Sequence, residues 1–136
     1  MPRFFSWFHR HQDWGIFLLR LFIGLRLIYG VMDNVISWEH MLSFSTFLEK
    51  FNFPVPLVSA ITSVYLQLLA GMMIVVGLYT RYAALIMIVN FAIALVTVHR
   101  HDTVEGMTPA LAIMFCCLLF LFQGAGRIAI DEKRLR

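Results

Sequence analysis

The sequence predicts an all-α integral membrane protein, a four-helix bundle with an amphipathic interfacial helix between its first and second spans. Three observations predict it. Over 136 residues the chain is 60% hydrophobic and 14% charged, with a mean hydropathy of +0.79, whereas a soluble domain has about a quarter of its residues charged. Four apolar runs, at about 14–32, 57–78, 82–98 and 108–122, meet or approach the roughly 20 helical residues that cross a hydrocarbon core about 30 Å thick. The longest connection, at about 36–51, carries apolar residues at helical spacing instead of turn chemistry. Residues 1–136 are therefore expected to form a single transmembrane domain.

The first run, "WGIFLLRLFIGLRLIYGVM", follows the aromatic and basic "MPRFFSWFHRHQDW". It is too long for a signal-peptide core and lacks a small-residue cleavage site, so it is expected to remain as an anchor. It also holds Arg20 and Arg26. A charge near the bilayer centre costs about 2.5–3.5 kcal/mol on insertion scales, which makes each a candidate ligand-binding or structural residue whose partner must be found. Six residues at 100° each set them about 240° apart around the helix, so they do not share one narrow face. No Asp or Glu lies inside any of the four runs. Arg20 lies toward the inner side, within reach of Asp131, Glu132 or a lipid headgroup. Arg26 lies toward the outer side, where it is expected to face a polar cavity under the 36–51 helix and to meet an outer acid such as Asp33.

In "ISWEHMLSFSTFLEKF", Trp38, Met41, Phe44, Leu48 and Phe51 recur at spacings of three and four, opposite Glu39, Ser43, Thr46 and Lys50. That pattern predicts the interfacial helix. The second span is expected to start after Pro54 and Pro56, and the fourth at Thr108–Pro109, read as a cap followed by a first-turn proline. One face of the second span carries Ala60, Ser63, Gln67 and Gly71, and one face of the third carries Ala83, Met87, Asn90, Ala94 and Thr97. Small and weakly polar stripes let membrane helices approach and hydrogen-bond. Gln67 and Asn90 either join helices in this way or line a ligand cavity. Gly24, Gly30 and Gly77 are expected close-contact positions.

Outside the spans, Arg3, Arg10, Arg81, Arg127, Lys133, Arg134 and Arg136 lie on one side, against Lys50 and Arg100 on the other. This bias predicts that both termini are cytoplasmic. The same placement explains the net charge of +3 as flanking residues of spans, and nucleic acid is not expected as a partner. Cys116 and Cys117 are adjacent in an apolar run, which is neither a CxxC pair nor a metal-ligand spacing. His99, His101 and Asp102 are residue types that bind zinc or copper, with His40 on the same side, but H-x-H alone defines no site. No metal site is assigned. A haem would find only His99 suitably placed.

"LLRLFIGLRLIYG", "FNFPVP", "QLLAGMMIVVGLYTRYAAL" and "GAGRIAID", in this order and spacing, resemble the DoxX family of small four-helix bacterial membrane proteins over about residues 15–131. The resemblance implies a four-helix bundle in the bacterial inner membrane and a loose association with redox chemistry. Relatives include a subunit of thiosulfate:quinone oxidoreductase and proteins partnered with thiol or oxidative-stress enzymes. It places the family's structural positions on Arg20, Gly77, Arg81, Gly124, Gly126, Arg127 and Asp131. The two late glycines are expected to end the fourth span, with Arg127 binding its last carbonyls or lipid phosphates. Three departures disfavour a proton relay: Gln67 where relatives often have glutamate, Met107–Thr108 where an acid is usual, and Arg26 where an apolar residue is usual.

The favoured reading is a redox-associated, quinone-linked membrane subunit that supplies a membrane site to a partner enzyme. The chain has no CxxC, no glycine-rich nucleotide loop and no clear haem pair, so at most it is one subunit of an oxidoreductase. The alternative is a non-catalytic accessory or scaffold subunit of a larger membrane complex. A transporter would need an oligomer, because one four-helix bundle encloses little pathway.

Overall fold

The computed structural model describes residues 3–134. It is built from helices alone: α1 (Arg3–Arg10), α2 (Gln12–Ile36), α3 (Trp38–Glu49), α4 (Pro56–Val76), α5 (Thr80–Thr97), α6 (Val104–Gln123) and α7 (Ile130–Arg134). Helices α2, α4, α5 and α6, of 25, 21, 18 and 20 residues, are long and apolar enough to cross a membrane. The architecture is an all-α membrane bundle.

Its centre is α4, which packs against α2, α3 and α5, while α6 packs on α5. The α2–α4 contact is close because glycines face each other. A Cβ on Gly24 would lie 2.5 Å from Val75 Cγ2, and one on Gly71 would lie 3.0 Å from the Gly24 carbonyl oxygen. Two apolar clusters result. One joins Ile23 and Leu27 of α2 to Ala70 and Ile74 of α4, Met87 of α5, and Cys117 and Phe120 of α6. The other sets Met41 and Leu48 of α3 against Val31, Ala60 and Val64. Helix α3 thus buries the middle of its apolar stripe, while Trp38 and Phe51 at its ends stay exposed.

Three local features differ from the sequence expectation. Helix α2 runs beyond its apolar run through Asp13 and Asp33, since nothing in either flank breaks a helix. Helix α6 begins before Thr108: Thr103 is its cap and accepts a hydrogen bond from the Gly106 amide at 3.3 Å. Pro109 therefore lies inside α6, where its missing N–H frees the Glu105 carbonyl near an exposed helix end. The aromatic–basic N-terminus forms α1, an eight-residue helix with no buried residue and with Phe4, Phe5, Trp7 and Phe8 exposed.

Candidate functional site

At one end of the bundle, the start of α2, the α4–α5 turn and the tail interlock around Arg20. Arg20 is 1% exposed. Its Nη1 donates to the Ala125 carbonyl and its Nη2 to the Ile128 carbonyl at 2.9 Å. The guanidinium lies 5.6 Å from the centre of the Phe17 ring, a distance at which the ring face attracts a cation. Asp131 supplies the opposing charge, and its carboxylate also accepts from the amides of Tyr79 at 2.6 Å and Thr80 at 2.9 Å. Those are amides at the start of α5, so an acid from the tail caps that helix and complements its dipole. The Asp131 amide returns a bond to the Gly77 carbonyl at 2.9 Å.

Gly124 and Gly126 have φ of +78° and +76°, which turn the chain back from α6 toward this junction. Arg81 lies over Gly124 and donates to the Phe122 carbonyl at 3.4 Å. Arg81, not Arg127, thus reaches a last carbonyl of α6. Arg127 instead turns to the start of α2, where its amide donates to Asp13 at 3.3 Å and its Nε lies 3.7 Å from the same carboxylate. A groove of about 560 Å³ runs through these residues and includes Thr80, whose fully buried hydroxyl has no hydrogen-bond partner among the described residues. Most of its charges are already committed to the junction, so it works as a latch joining three segments. Asp13 and Thr80 carried no signal in the sequence beyond their polarity.

The second concavity is larger and apolar. A cavity of about 900 Å³ lies between α3, α4 and α5 and includes Phe44, Phe47, Val58, Leu66 and Val89. Its few polar groups include Ser63 and Asn90 in the middle and His99 at one end. The Ser63 hydroxyl donates to Asn90 Oδ1 at 3.0 Å. This leaves the Asn90 amide nitrogen without a partner among the described residues, a donor suited to a carbonyl on a ligand. His99 Nδ1 lies 2.5 Å from Asp102 Oδ2. Nine residues separate Asn90 from His99, a rise of about 13.5 Å, so the two do not grip one small ring. Among the described residues, no three His, Cys, Asp or Glu side chains gather as a metal-binding group.

The four polar residues singled out inside the spans go to different places. Asn90 lines the cavity. Gln67, on the neighbouring helix, donates to the Leu27 carbonyl at 3.1 Å and so ties α4 to α2. Arg20 lies in the latch. Arg26 is exposed and does not line the cavity under α3, in contrast to the sequence expectation. The buried stripe of α2 is Arg20, Ile23, Gly24, Leu27 and Val31, and Arg26 falls off it. Nor does an outer acid meet Arg26, which forms no hydrogen bond or ion pair among the described residues.

Four apolar helices that could cross a membrane, a buried arginine latched to the tail and an apolar cavity beside the third of them define a small polytopic membrane protein. The family model described as DoxX matches residues 15–100, well over half of the chain, and the protein belongs to the DoxX family. The matched region includes Arg20, Gly77, Arg81 and the cavity walls, and ends before α6 and the tail. No match was found among curated proteins or among solved structures.

Proposed function

We propose that this DoxX-family protein is a membrane subunit that offers a quinone site to a partner oxidoreductase. One observation carries the reading: the cavity between α3, α4 and α5 is apolar except for a few groups, among them an amide with a free donor. An isoprenoid quinone has the matching chemistry, a carbonyl-bearing ring on an apolar tail. The ring accepts from the Asn90 amide, and the tail lies against Phe44, Phe47 and Val58. The electron-transfer centre belongs to the partner, and this chain binds and orients the quinone.

Extraction of the protein purified in mild detergent should yield a quinone at near one per chain by mass spectrometry. Asn90→Leu should lower the yield about tenfold, the value of one hydrogen bond to a buried acceptor, and Val89→Trp should block the cavity. Quinone at parental level in both variants would remove the cavity from the reading. An intact complex that carries no quinone would favour the accessory-subunit reading instead.

The same reading places the chain in a bacterial inner membrane with both termini cytoplasmic. In support, Arg81 and Arg127 lie at the end of the bundle where the tail docks, and with Arg3, Arg10, Lys133, Arg134 and Arg136 seven basic residues flank that end in sequence, against Lys50 and Arg100 at the other. In a background without other cysteines, Cys at Ser45 should be labelled by an impermeant reagent from outside the cell, and Cys at Arg136, which lies outside the described residues, should not. Labelling of both from outside would overturn the orientation.

A further inference from the structure

On the lipid-facing side of α2, Arg26 and Asp33 are both exposed, and neither side chain has a hydrogen bond or ion pair with another described residue. Their depths are fixed by the helix. Asp13 and Asp33 are 20 residues apart on α2, a rise of about 30 Å that equals the hydrocarbon thickness. Asp33 therefore lies at one boundary, Gly30 about 4.5 Å inside it, and the Arg26 Cα about 10 Å inside it.

The Arg26 guanidinium does not stay at that depth. Its Nη1 lies 2.9 Å from where a Cβ on Gly30 would be, one turn nearer the boundary. Helical side chains ordinarily lean toward the N-terminus, whereas this one runs the other way, through the gap that glycine leaves. Gln67 Nε2, 3.3 Å from the same point, closes the inner side of the gap. The strip thus presents a cation a few ångströms inside the boundary and an anion directly beyond it.

We propose that the Arg26–Gly30–Asp33 strip binds the headgroup of a phospholipid that carries a primary ammonium, with the phosphate on Arg26 and the ammonium on Asp33. The order of charges along the strip is that of such a headgroup, phosphate on the hydrocarbon side and amine toward water. A choline headgroup has the same charges but no N–H for the carboxylate. A glycerol headgroup has no cation for Asp33. A partner helix bearing a carboxylate would satisfy Arg26 and leave Asp33 beside a second negative charge. The proposal does not depend on the quinone cavity, whose lining includes no residue of α2.

The test is native mass spectrometry of the full-length protein with equal amounts of phosphatidylethanolamine, phosphatidylcholine and phosphatidylglycerol of one acyl composition. The ethanolamine lipid should be retained about tenfold over the choline lipid, as one charged hydrogen bond separates them. Arg26→Leu should abolish retention of all three without lowering the melting temperature, since it removes an exposed intramembrane charge. Asp33→Asn should bring ethanolamine and choline lipids level, and Asp33→Lys should shift the preference to phosphatidylglycerol. Asp33 lies at an exposed helix boundary, so its variants decide the matter even if Arg26→Leu fails to fold. Equal retention of ethanolamine and choline lipids by the parent, or a preference unchanged by the Asp33 variants, overturns the proposal. So does a protein that crosslinks from Tyr29, 79% exposed beside the strip, in a complex that retains no lipid.

Discussion

Arg20→Leu should lower the melting temperature in detergent by about 10 °C or more, corresponding to about 3–5 kcal/mol. Leucine fills much of the volume but leaves the Ala125 and Ile128 carbonyls without their donors, at about 1–3 kcal/mol for each acceptor that stays buried. It also removes the cation opposite Asp131, whose carboxylate caps α5. Arg20→Lys should recover only part of the loss, because one ammonium does not reproduce a planar fork reaching two carbonyls. Thermal unfolding followed by the helical circular dichroism signal checks both. A leucine variant that melts within a few degrees of the parent would mean the tail docks without Arg20. The contrast with Arg26→Leu is informative because both remove an arginine from the same helix, and only one is buried.

That contrast shows what was legible in the chain. Hydropathy and length alone marked the four long helices, and period-3.6 spacing marked α3, because both report burial in a medium that leaves little alternative to helix. The missing internal acid told that Arg20 needed a distant partner. Asp131, the charged part of that partner, was among the acids within reach, but the rest was hidden, since the groups that hold the guanidinium directly are backbone carbonyls 105 and 108 residues away, and carbonyls look alike in every sequence. Arg26 was misplaced for a different reason. Its angular separation from Arg20 was correct, but which face turns inward depends on the Gly24–Gly71 contact. The run of Arg20, Ile23, Gly24, Leu27 and Val31 at spacings of three and four carried that signal. Gln67 and Asn90 looked equivalent as lone amides in polar stripes. Packing separates them, because α2 covers Gln67 while the gap between α3 and α5 leaves Asn90 on a cavity wall.

Gly77→Ala should destabilise the fold about as much as loss of a core side chain, for two separable reasons. Gly77 has φ of +75° and ψ of 39° and ends α4, and both its amide and that of Leu78 donate to the Met73 carbonyl at 2.9 Å. An alanine in this left-handed conformation costs about 1–2 kcal/mol. Its Cβ would also lie 2.7 Å from the Ala129 Cβ and 2.9 Å from the Arg20 Cζ. Neither neighbour yields easily, since Ala129 belongs to the docked tail and Arg20 is held by two carbonyls. The added methyl therefore pushes the tail off the α4–α5 turn and strains the Asp131 cap with it. The two causes part in a double-mutant cycle measured by thermal melting. In the Arg20→Leu background the tail is already loosened, so Gly77→Ala should cost only about its backbone term, 1–2 kcal/mol. Full additivity of the two substitutions would mean that glycine serves the turn alone and that Arg20 and the tail are held independently of it.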